Sequence, residues 1–184
     1  MNRLLLTILF FMTGAYSIAV QIYYVRELLV VFFGNELCLG IIFGCWFAGI
    51  GTGAVCGGSM ARRRKTVDAG LAVSLLLLAL LPFALLACIR LLRVICGIPV
   101  GGVSSLEHMA LGSLLCVGPF SFMVGFVFPA ACGALLRLNT AAGSNIGWVY
   151  LWESLGSLIG GFIVSFFAIP ACSPLVVFGW TALP

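Results

Sequence analysis

The residue best placed to do chemistry is a single carboxylate inside an apolar run. Glu153 stands about seven residues into the stretch 146–169, roughly 10 Å from its start if that stretch is helical. A carboxylate at such depth is expensive in lipid, and membrane proteins turn it toward a bundle interior or a polar cavity. Two roles stay open at this point. Glu153 could hold a proton or another cation, or it could lock helices together through a hydrogen bond. Tyr150 and Arg26 join it as candidate ligand-binding or coupling positions. Other chemistry is sparse. His108 is the one histidine and follows Glu107 at the head of an apolar run, so an interfacial position explains both; a lone histidine also makes a poor metal site. The eight cysteines form no CxxC pair and mostly lie within apolar runs, where free thiols pack as small hydrophobes. Asp68 is the sole aspartate, and the sequence has no phosphate loop, GxSxG elbow or HExxH helix. No catalytic residue, metal or cofactor is expected.

Composition says where these residues must sit. Of 184 residues 63% are hydrophobic and 8% charged, against roughly 25% charged in an ordinary soluble domain. So much apolar surface needs a lipid solvent, so the class is an all-α, polytopic helical membrane protein. Helical spans need about 20 apolar residues to cross about 30 Å of hydrocarbon. Charges punctuate the chain into five such stretches, at 4–25, 37–61, 69–89, 109–136 and 146–169. A sixth apolar stretch, 173–184, is about 18 Å long as a helix and too short to cross alone. The expectation is one helical membrane domain over 1–184, with five full spans and the first half of a sixth. Either the gene is truncated there or the rest of the protein lies elsewhere. A cleaved signal peptide, with an exit at 13–17, is a competing reading of the start, but apolar character continues to Val25.

Lysine and arginine placement sets an orientation. With the N-terminus in the cytoplasm, Arg3, Arg62, Arg63, Arg64, Lys65 and Arg137 are inside and Arg26, Arg90 and Arg93 outside, six against three. The net charge of +4 is then an anchoring pattern and implies no nucleic acid. Two connections are not simple loops. Residues 26–33 read as an amphipathic segment in the outer interface, and 94–106, broken by Gly97, Pro99, Gly101 and Gly102, as an outer loop. Arg90 and Arg93 share a helix face and reach toward the outer headgroups.

Glycines carry the remaining pattern. Gly40, Gly44, Gly49, Gly53 and Gly57 in the second span, and Gly156 and Gly160 in the fifth, have the small-residue spacing that lets helix backbones approach closely in lipid. The run 49–54 also fits a loose dinucleotide fingerprint, which is rejected because it falls mid-span and follows no strand. Pro119 and Pro129 predict kinks in the fourth span.

Several blocks in order carry a resemblance: Gln21–Leu29 with Arg26 and Glu27, then Phe33-Gly34-Asn35-Glu36, the glycine-rich second span through Gly57, Gly58 and Arg62, residues 125–129, and residues 147–161 with Tyr150, Glu153, Gly156 and Gly160. Together they resemble the membrane region of bacterial spermidine-synthase-like multi-pass membrane proteins. The resemblance implies a bacterial inner-membrane location and a hydrophobic region that, in relatives, precedes a soluble domain similar to aminopropyltransferases. That domain's glycine-rich, acidic cofactor loop has no counterpart in this sequence, so no catalytic residue carries over. The function implied is a non-catalytic membrane domain that anchors or pairs with a soluble partner, or binds a small cation such as a polyamine. A weaker similarity, a glycine-lined second helix followed by a basic loop, looks like half of a major facilitator transporter. That alternative needs a second membrane chain or a homo-oligomer. A gene fragment without function is the third.

The orientation is testable with single cysteines in a background cleared of the native ones. An impermeant thiol reagent applied outside should label Asn35→Cys and spare Thr66→Cys; the reverse pattern would overturn the N-in topology.

Overall fold

A computed structural model describes residues 3–34, 36–62, 67–95, 97, 105–138, 142–171, 173 and 176. Its elements are α1 (Arg3–Phe32), α2 (Glu36–Ala61), α3 (Val67–Ile95), α4 (Leu106–Leu138) and α5 (Ala142–Ile163). A π-helical turn, Val164–Ala168, continues α5 into the short α6 (Ile169–Ala171). No strand occurs among the described residues. Among the described residues, five helices are long and apolar enough to cross a membrane: Thr7–Phe32, Glu36–Ala61, Ala69–Leu92, Leu106–Gly133 and Ile146–Ala171. At 1.5 Å per residue the first, of 26 residues, reaches about 39 Å, long enough to cross with tilt. The segment 173–184 falls outside the described residues apart from Ser173 and Val176, as do most of 94–106 and the basic run Arg63–Lys65.

The first span differs from expectation. Arg26–Phe33 does not form a separate interfacial segment, because α1 runs unbroken to Phe32. The reason is packing: Leu28, Val31 and Phe32 fall on one face and are buried, while Arg26 is exposed. Glu27 is matched at 3.1 Å by the Arg90 guanidinium of α3, so its charge does not end the helix. Arg90 therefore has a protein partner where only headgroups were expected. The helix stops one turn later. Phe33 takes a left-handed φ of 50°, and the Gly34 N–H donates to the Leu29 carbonyl at 2.9 Å, closing the end as a Schellman-type cap.

Packing divides the chain into two compact units, one of Met1–Tyr23 with Ala134–Pro184 and the other Tyr24–Gly133. In the second unit the core is aromatic. Tyr24 and Phe120 meet edge to face with centroids 5.7 Å apart, and Trp46 packs on Phe120 at 5.9 Å. The buried Tyr24 hydroxyl donates to the Pro82 carbonyl at 3.1 Å, so this polar tip is satisfied within α3. Ser105 opens α4: its Oγ accepts from the His108 N–H at 3.4 Å and lies 2.6 Å from His108 Nδ1, an exposed helix-start arrangement.

The second unit also holds α2 against α4 through glycine. A Cβ at Gly49 would strike Ser121, and at Gly53 or Gly57 the main chain of Phe122 or Phe126. The fit is reciprocal, since a Cβ at Gly125 would strike the main chain of Ile50. Moving along α2 from 49 to 57 moves the contact along α4 from 121 to 126, so the two helices run parallel. Parallel is what alternating crossings demand of a second and a fourth span. Gly40 and Gly44, grouped by spacing with the same packing set, instead have open space where a Cβ would stand.

Past Ile163 the helix widens because Pro170 has no N–H to give the Phe166 carbonyl. The Ile169 N–H bonds instead to the Val164 carbonyl, five residues back.

These contacts separate two glycines that look alike in sequence. Gly53→Ile should destabilise the detergent-solubilised protein by about 1–3 kcal/mol through overpacking, while Gly44→Ile should be near neutral. Equal losses in thermal unfolding would contradict the α2–α4 contact.

Candidate functional site

Glu153 belongs to the first unit, where α5 meets the Met1–Tyr23 part of α1. The two helices touch through small residues. A Cβ at Gly156 would strike the main chain of Phe11, at Gly160 that of Ala15, and at Gly14 the carbonyl of Glu153. A four-residue step on α1 matches a four-residue step on α5, so this pair also runs parallel. Two hydrogen bonds join the helices. The Trp148 indole N–H donates to Thr7 Oγ1 at 3.1 Å, and the Ser157 hydroxyl donates to the Gly14 carbonyl at 3.2 Å. Ser17, on α1 itself, donates to the same carbonyl at 3.0 Å.

Glu153 sits on the packed side of its helix. Val149, Gly156, Gly160 and Val164 lie at helical spacings of four, three, seven and eleven from it, and all four are buried. Glu153 itself is half-buried, and within its unit the described residues place no hydrogen-bond donor or cation on its carboxylate. Of the other candidates, Tyr150 shares α5 but is 65% exposed, and Arg26 is exposed in the second unit. On the far flank of the stripe, Trp148 and Trp152 stack edge to face at 5.6 Å, with the Trp152 indole N–H buried and unpaired.

The described residues contain no group of three or more histidine, cysteine or acidic side chains able to hold a metal ion. Six described cysteines carry free thiols. Among the described residues, this crossing carries one carboxylate, Glu153, and the hydroxyls of Thr7, Ser17 and Ser157.

Sequence reasoning missed Thr7, Ser17, Trp148 and Ser157. Gly14 and Ala15 were visible only as small residues of a conceivable cleavage exit, yet they form the α1 surface against α5. Pairing that small run with the Gly156/Gly160 spacing would have found the crossing. Comparison with protein-family models, with curated proteins and with solved structures finds no match.

The crossing should tolerate loss of the charge better than loss of the small residue. Gly156→Val should cost about 1–3 kcal/mol by overpacking, and Glu153→Gln, which keeps size and polarity, clearly less. A larger loss for Glu153→Gln, read by thermal unfolding in detergent, would show that the carboxylate is a structural lock.

Proposed function

We propose that this chain is a non-catalytic helical membrane domain of the spermidine-synthase-like type that binds a small organic cation, such as a polyamine, at Glu153. The observation that carries this reading is the half-buried Glu153 carboxylate, which stands within an apolar span on the packed face of α5 with no cation beside it among the described residues of its unit. A carboxylate so placed is stabilised by a bound cation or by a proton. Tyr150 flanks it on the same helix. Anchoring a soluble partner chain is the second element of the proposal, and it rests on the resemblance of residues 21–36, 125–129 and 147–161 described above.

The test is ligand-dependent thermal stability of the purified chain in mild detergent. Putrescine and spermidine should raise the melting temperature of the wild type, since a ligand bound to the folded state alone stabilises it by mass action. Glu153→Gln should fold and lose that response. An unchanged wild-type melting temperature across pH 6 to 9 would remove the polyamine reading, and a full response in Glu153→Gln would move the site elsewhere.

A further inference from the structure

We draw no further inference here: the strongest candidate, the open small-residue patch formed by Gly40, Gly44, Gly51 and Gly58 on the face of α2 opposite its contact with α4, meets no neighbour among the described residues, and nothing in the structure shows what covers it.

Discussion

Hydrocarbon offers no hydrogen bonds, so each spanning segment must satisfy its own backbone, and the chain answers with five long helices. Once the backbone is closed in this way, burial of leucine no longer draws helices together, because lipid is as apolar as leucine. What remains is close contact. Glycine supplies it twice, at Gly49, Gly53, Gly57 and Gly125 between α2 and α4, and at Gly14, Gly156 and Gly160 between α1 and α5. Serine and threonine obey the same constraint. The hydroxyls of Thr13, Thr52, Ser59, Ser74 and Ser121 turn back onto carbonyls of their own helices. Ser157 is different, since it bonds across to Gly14.

The same crossing holds the only charge within the fifth span, Glu153. A carboxylate on a lipid-facing stripe would be hard to sustain. Glu153 instead shares its side of α5 with four buried residues. At the other end of α5 the backbone yields to Pro170 with a π turn. Among the described residues the one ion pair, Glu27 with Arg90 at 3.1 Å, joins α1 to α3 within the second unit.

Much of the fold was legible because length and apolarity alone define a span. The second to fifth spans were placed within a few residues of where the helices are long and apolar enough to cross. The end of the first was misread because charges were used as punctuation. Arg26 and Glu27 look like a boundary, but burial of Leu28, Val31 and Phe32 carries the helix on, and Arg90, 63 residues later, matches the Glu27 charge. Glu153 stood out for the same reason that it is costly. The serines of the crossing did not, since a hydroxyl that bonds across to another helix and one that bonds within its own are the same letter in sequence. The glycines show the limit of spacing: Gly44 and Gly53 belong to one periodic set, yet only Gly53 has a neighbour to meet.

The account turns on Glu153 being a reachable carboxylate that a small organic cation occupies. Covalent labelling with a lipid-soluble carbodiimide, followed by peptide mass mapping, reads this directly. Glu153 should be modified in the membrane-embedded chain, and putrescine should slow that modification. Modification at the same rate with and without putrescine would contradict the account.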